Sequence, residues 1–267
     1  MRPYYIPRFT RETYRQDLKE FTGKTYEEWF ELRKHYEALG GVDHITGQIL
    51  SDWINPSFED LFRAYNHESW MAFGYTGNFV PEELVIREPN SDIQWTSAAV
   101  KHFTYGMSAM DWGSGGGSSA YNLWNIGYNS YLADLPLDWF KFIETRAKKY
   151  GTVDLNFIYI NQNLGWMLID LKLDFIVWHQ VAEHTIDPEL CVEEMVKNHM
   201  HIGSLIWISC SFTATTYHLI NNRDKFGIEK DGIANCAGNH IWRDHLQKIG
   251  LEEIEKQPQG SIFKKKL

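Results

Sequence analysis

Between Asp111 and Ser119 the chain reads DWGSGGGSS, an acid followed by four glycines and three serines within nine positions. Glycines at 113, 115 and 117 allow a sharp turn and let a ligand lie against bare main chain. If a helix begins near Ser118, its first turn offers unpaired N–H groups and a partial positive charge. The stretch therefore reads as a strand–loop–helix site for a phosphate or a nucleoside. Asp111, two residues before the first glycine, is placed to meet a cationic or amino group. A dinucleotide-binding turn requires glycine at its first, third and sixth positions. Counted from Gly113 the sixth residue is Ser118, and counted from Gly115 it is Ala120. That spacing, together with Asp111, disfavours a nicotinamide oxidoreductase.

A second group of reactive side chains comes later: His179, Glu183, His184, His199 and His201. HQVAEH lacks the one-turn histidine spacing of the zinc-protease motif HExxH. HMH, residues 199 to 201, supplies two potential ligands and the sequence places no third. No metal is expected.

Taken together, Asp111-x-Gly113-x-Gly115-x-Gly117 resembles the first motif of the class I S-adenosylmethionine-dependent methyltransferases. Two further stretches follow in that family's order. GYNSYLAD ends in Asp134, where the family's second strand carries an acid for the ribose hydroxyls. From Leu173, LDFIVWHQVAEHTIDPELCVEEMVKNHMHIGSLIWIS resembles the fourth strand, following helix and fifth strand of its small-molecule branch, with Asp174, Glu183-His184 and Asp187-Pro188 in the matching places. The resemblance covers about Met107 to Lys256. It implies S-adenosyl-L-methionine as cofactor, with Gly113, Gly115 and Gly117 against its methionine part, Asp111 toward its amino group and Asp134 on its sugar. Asn161 and Gln162 offer amides where the family has an adenine-contacting acid after the third strand.

Methyl transfer from a sulfonium is a direct displacement, so the protein mainly aligns the acceptor and removes a proton where one must leave. Ligands of open α/β sheets lie beyond the carboxyl ends of the strands. That puts Trp178, His179 and Gln180 beside the transferable methyl. His179 is the expected general base, because its ordinary pKa suits proton transfer near neutrality. Gln180 and His184 are expected to contact the substrate, with His184 also supporting the loop after the strand. Small-molecule methyl transfer is the leading expectation. A protein or RNA acceptor, and a catalytically silent cofactor-binding subunit, are the alternatives.

These residues must be positioned by a particular succession of elements. From Met107 onward, short apolar runs (SAMDW, NSYLAD, LNFIYI, LDFIVWH, SLIWISCSF) alternate with helical stretches (SSAYNLWNIG, PLDWFKFIETRAKKYG, DPELCVEEMVKNHM). Such alternation predicts an α/β fold: a doubly wound, mostly parallel sheet covered on both faces. NHIWRDHLQKIGLEEIEKQ reads as a helix followed by an edge strand. The first 106 residues read instead as a helical, aromatic-rich cap with a substrate pocket, ahead of a cofactor-binding domain over residues 107–267. Helices are predicted in FTRETYRQDLKEF, in KTYEEWFELRKHYEALGG with a Thr25–Glu28 capping box, in NPSFEDLFRAYN and in DIQWTSAAVKHFTYG. FGYTGNFVPEELVIREPNSD reads as loop. Tyr4, Tyr5, Tyr26, Trp29, Trp53 and Trp70 are the cap aromatics considered for the substrate pocket.

Bulk properties exclude several classes. The chain has 267 residues, 43% hydrophobic and 23% charged, and its formal net charge is −9. Nucleic-acid affinity rests largely on phosphate neutralisation, so an acidic chain is a poor polynucleotide binder. Its densest basic run, Lys264 to Lys266, reads as a solubilising tail. No apolar run has a membrane-spanning length, and the N-terminus lacks the apolar centre of a secretory signal, so a cytoplasmic protein is expected. Cys191, Cys210 and Cys236 are far apart in sequence, which argues against a disulfide framework and fits a reducing compartment.

Overall fold

A computed structural model of the chain describes residues 11–41, 56–76, 94–150, 155–161, 167, 169–210, 240–257 and 260–266. Seven strands form one sheet: β1 (Ser108–Trp112), β2 (Asn129–Asp134), β3 (Leu155–Tyr159), β4 (Leu173–His179), β5 (Met200–Ser209), β6 (Leu251–Gln257) and β7 (Gly260–Lys265). Their order is β3-β2-β1-β4-β5-β7-β6. Strands β1 to β5 are mutually parallel, and β7 runs antiparallel between β5 and β6. The chain winds outward from β1 to β3 on one side and returns to β4 on the other. This leaves a crevice where the winding reverses, between the carboxyl ends of β1 and β4.

The described helices, in chain order, are α1 (Arg11–Thr22), α2 (Tyr26–Ala38), α3 (Phe58–Tyr65), α4 (Glu68–Thr76), α5 (Gln94–His102), α6 (Ser118–Ile126), α7 (Asp138–Tyr150), α8 (Pro188–Glu194) and α9 (His240–Lys248). Capping boxes open α2 (Thr25 with Glu28) and α3 (Ser57 with Asp60), so both starts are written locally. Strand β4 is covered on both faces. Its Ile176 and Trp178 pack with α8 and α9 residues such as Val192 and Trp242, whereas Phe175 and Val177 pack with Trp95 of α5 and Leu123 of α6. A parallel strand buried on both sides is apolar without alternation, which is why LDFIVWH is a nearly continuous apolar run.

The N-terminal helices share a core with the sheet layer. Tyr14, Leu18, Trp29 and Tyr75 pack with Leu132, Trp139, Phe140 and Phe142. A buried ion pair joins α1 to α7: Arg146 Nε donates to Asp17 Oδ2 at 2.9 Å, with both side chains at most 4% exposed. Burial alone would raise the Asp17 carboxyl, but hydrogen bonds from Lys149, Arg146 and Tyr150 hold it below its ordinary value.

Three sequence expectations change. Phe73 to Thr76, read as loop, are the last residues of α4, because Tyr75 packs against Trp29 and Phe142 and that burial outweighs the weak helix preference of Gly74. The remaining stretch to Asp92 lies outside the described residues. The basic run is no free tail: Lys264 and Lys265 belong to β7, Lys265 Nζ donates to the carbonyls of Val196 and Met200, and Lys266 pairs with Glu252 at 2.6 Å. Cys210, at the end of β5, is disulfide-bonded, while Cys191 is a buried thiol. Separation along the sequence does not measure distance in the fold, so one disulfide forms where the spacing was read against a disulfide framework. Among the described residues no helix is long and apolar enough to cross a membrane.

Candidate functional site

A cavity of about 430 Å³ opens at the reversal crevice. Its floor is the segment from Asp111 to Ser119. Gly113, Gly115 and Gly117 all hold positive φ, +73°, +50° and +78°, where a side chain is strained. Two of them are also held by packing. A Cβ on Gly113 would overlap both methyl groups of Val181, and one on Gly117 would lie 2.6 Å from a Leu132 methyl. What crowds this backbone at 113 and 117 is the protein itself, whereas Gly113, Gly115 and Gly116 line the cavity. Ser114, in the same turn, has a buried hydroxyl with no hydrogen-bond partner among the described residues, an orphaned polar atom in a cavity wall.

Two buried carboxylates organise this floor. Asp111 Oδ2 accepts from Ala120 N at 3.2 Å. It thereby serves the first turn of α6, whose N-cap, Gly117, offers no side-chain bond. Asp134 accepts from Gly115 N and from Leu135 N, each at 2.7 Å, tying the glycine turn to the end of β2. Burial raises Asp134 to about 6, against the opposing pull of those two amides. Burial likewise pushes Asp111 well above the usual carboxylate range, and the nearby Asp134 adds to this. A carboxylate has about four acceptor positions, and the bonds from Gly115 and Leu135 to Asp134 occupy two, so a further hydroxyl donor fits its chemistry.

The opposite wall follows β4. His179 opens onto the cavity with its ring 5.1 Å from that of Trp207. Surrounding protein nevertheless pushes its imidazole down to about 4. The side chain itself remains open to solvent at the cavity mouth, so the lowering marks its apolar neighbours and leaves its part in proton transfer to experiment. Gln180 has φ +53°, the sole non-glycine positive value among the described residues. Ser209 anchors it, accepting from Gln180 N at 2.6 Å and from Gln180 Nε2 at 3.3 Å. His184 lies in a short 3₁₀ turn (Ala182–His184), and its Nδ1 is 3.0 Å from the Tyr65 hydroxyl. Tyr65, with Phe58 and Leu61 from α3 and Trp70 from α4, covers the cavity.

Asp111, the glycines 113 and 115, Asp134, His179, Gln180 and His184 thus line one cavity. Trp178 does not reach it: its ring is buried on the other face of β4, 5.9 Å from Trp242. A residue next to His179 on a strand points to the opposite face. Ile160, rather than Asn161, lines the wall after β3, and Gln162 lies outside the described residues. Of the cap aromatics, Trp70 lines the cavity, Trp29 is core, Tyr26 stacks on Phe30, and Tyr4, Tyr5 and Trp53 lie outside the described residues. Sequence reasoning missed Phe58, Leu61 and Tyr65. The apolar i, i+3, i+7 spacing of FEDLFRAY marks a covering face, but it does not say what is covered. Among the described residues no group of three or more His, Cys, Asp or Glu side chains is arranged to hold a metal.

No protein-family model matches the chain, and no curated protein sequence matches it. Solved structures do. An O-methyltransferase family protein from Burkholderia thailandensis aligns over 89% of this chain and 72% of its own, with TM-score 0.54 and 10% identity. The PH0226 protein from Pyrococcus horikoshii aligns over 69% of this chain and 94% of its own (TM-score 0.47, 12% identity). A ribosomal protein L11 methylase from Lactobacillus delbrueckii subsp. bulgaricus aligns over 65% and 78% (TM-score 0.45, 14% identity). At 10% identity the likeness to the Burkholderia thailandensis protein is one of fold, and the seven-stranded sheet of this chain has the Rossmann-like fold of the class I methyltransferases.

Proposed function

We propose that this protein is an S-adenosylmethionine-dependent methyltransferase acting on a small molecule. The observation that carries the reading is the buried Asp134 carboxylate, set at the end of β2, tied to Gly115 and facing the same cavity as the glycine turn. S-adenosylmethionine, when bound, would supply a methyl group activated by its sulfonium centre. Asp134 would accept from sugar hydroxyls, the turn from Gly113 to Gly117 and the orphaned Ser114 hydroxyl would bind the amino-acid end, and Asp111 would hold the start of α6 in place. His179 and Gln180 would line the acceptor side. Residues 1–106 would act as a cap supplying substrate contacts, and residues 107–267 as the cofactor-binding domain.

A cavity of this size, roofed by Phe58, Leu61, Tyr65 and Trp70, supports a small acceptor over a macromolecule. The test is a thermal-shift comparison of S-adenosylmethionine, S-adenosylhomocysteine and NAD. At a hundredfold excess over Kd the two sulfur nucleosides should raise Tm by roughly 5–10 °C, with no shift from NAD. A shift with NAD alone would overturn the reading. Binding of both nucleosides with no turnover on any acceptor would favour the silent-subunit alternative.

A further inference from the structure

The acceptor side of the cavity has a proton-handling pair that the methyltransferase reading does not use. Tyr65, the last residue of α3, reaches across to the segment after β4, with its hydroxyl 3.0 Å from His184 Nδ1 and its ring edge-on to His184 and Trp70. We propose that Tyr65 and His184 form the proton-accepting relay of this site, and that its acceptor is an uncharged aromatic molecule carrying a hydroxyl. The proposal rests on the methyltransferase reading.

Several observations converge on this pair. Among the described residues the roof around Tyr65 is Phe58, Leu61 and Trp70, which carries no charge and suits a flat apolar ring. Among the described residues, the other ionisable groups on the lining are less well placed for a relay. Asp111 and Asp134 accept amides of the floor, and burial pushes the Cys191 thiol up to about 12. His179, expected as the base, is lowered to about 4 by the protein beside it and has no hydrogen-bonded partner among the described residues to pass a proton to, whereas Tyr65 and His184 are already joined. A tyrosine that donates to an imidazole nitrogen can still accept on its own oxygen. In the relay the acceptor O–H proton passes to Tyr65 Oη as the Tyr65 proton passes to His184 Nδ1. The acceptor oxygen pair forms the new bond to the methyl carbon, and the C–S pair returns to sulfur. The sulfonium charge disappears and one positive charge appears on His184, which is partly exposed and can return the proton to solvent.

The test needs no turnover. 4-Nitrophenol changes colour on ionisation, so the full-length protein is titrated with it in buffer below the probe's own pKa, without cofactor. Wild-type protein should convert bound probe to the phenolate. Tyr65→Phe and His184→Gln should each lose that conversion, whereas His201→Gln, at the opposite end of the sheet, should keep it. Unchanged melting of Tyr65→Phe controls for folding, and His184→Gln gives an independent second variant. Absence of probe binding, bound probe that stays neutral in the wild type, or conversion that survives Tyr65→Phe would overturn the proposal. S-adenosylmethionine titration separates the two readings. Cofactor binding without conversion sinks the relay and spares the methyltransferase reading, whereas conversion without cofactor binding sinks the methyltransferase reading and leaves a proton-accepting pair with no methyl transfer to serve.

Discussion

Asp134 is the residue at which burial, main-chain geometry and ligand chemistry meet. Its carboxyl is raised to about 6 from an ordinary value near 3.8, so the folded state binds the proton more tightly than the unfolded chain. Its stabilising contribution is complete below the unfolded pKa and is lost as pH rises through 6, an effect on the order of 3 kcal/mol. Asp134→Asn should flatten the stability profile of the free protein between about pH 4 and 6, as measured by urea unfolding. Ligand binding should run the other way. Hydroxyl donors favour the ionised carboxylate, so affinity for S-adenosylhomocysteine should weaken by up to tenfold per pH unit below about 6 and level off above it, as calorimetry can check. Gly113 and Gly117 make a second comparison. Both are left-handed, but a methyl on Gly113 meets the stiff β-branched Val181, whereas one on Gly117 meets the far end of a flexible leucine. Gly113→Ala should cost about 2–3 kcal/mol and Gly117→Ala about 1–2 kcal/mol. The double variant Gly113→Ala/Val181→Ala should recover part of the larger loss in thermal unfolding.

At the scale of elements, the junction of α1 with α7 concentrates the electrostatics. The Asp17–Arg146 pair is buried, and Arg146 also lies 4.8 Å from the Tyr14 ring centre. Removing one member of such a pair strands the other, so Asp17→Ala should destabilise by about 3 kcal/mol. The exposed Arg15–Glu27 pair should contribute less than about 1 kcal/mol when Glu27 is replaced by alanine. Since Asp17 is held below its ordinary value, its contribution is present above the unfolded pKa and is lost as pH falls through the folded one. Strand and helix starts at this scale were largely legible: SAMDW, NSYLAD and LDFIVWH coincide with β1, β2 and β4, and the Thr25–Glu28 capping box forms as spelled, whereas the Ser57–Asp60 box was not read beforehand. The last strand was not. GSIFKK is short and ends in lysines, and it becomes an internal strand only because β5 and β6 both need a partner.

For the whole molecule, the acidic surplus and the roofed cavity argue together against a polynucleotide partner. A filter-binding assay with tRNA at physiological salt should show no saturable binding; a salt-dependent, saturable curve would instead favour an RNA acceptor. The layered arrangement also explains how the N-terminal helices come to the site. Their core is continuous with α7 and β2, so α3 and α4 roof the cavity as part of the packed body.

Local chemistry in the sequence was enough to determine the glycine turn, the acids that flank it and the alternation of strands with helices. Left-handed turns, caps and doubly buried strands are each specified by residues close together in the chain. Tertiary structure alone decided which side chains share the cavity. It turned Trp178 into the core while leaving its neighbour His179 on the wall, brought Tyr65 to His184 across 119 positions, and set apolar groups beside His179 that lower its pKa. Burial and long-range contact are sums over many distant residues, and no local pattern carries them.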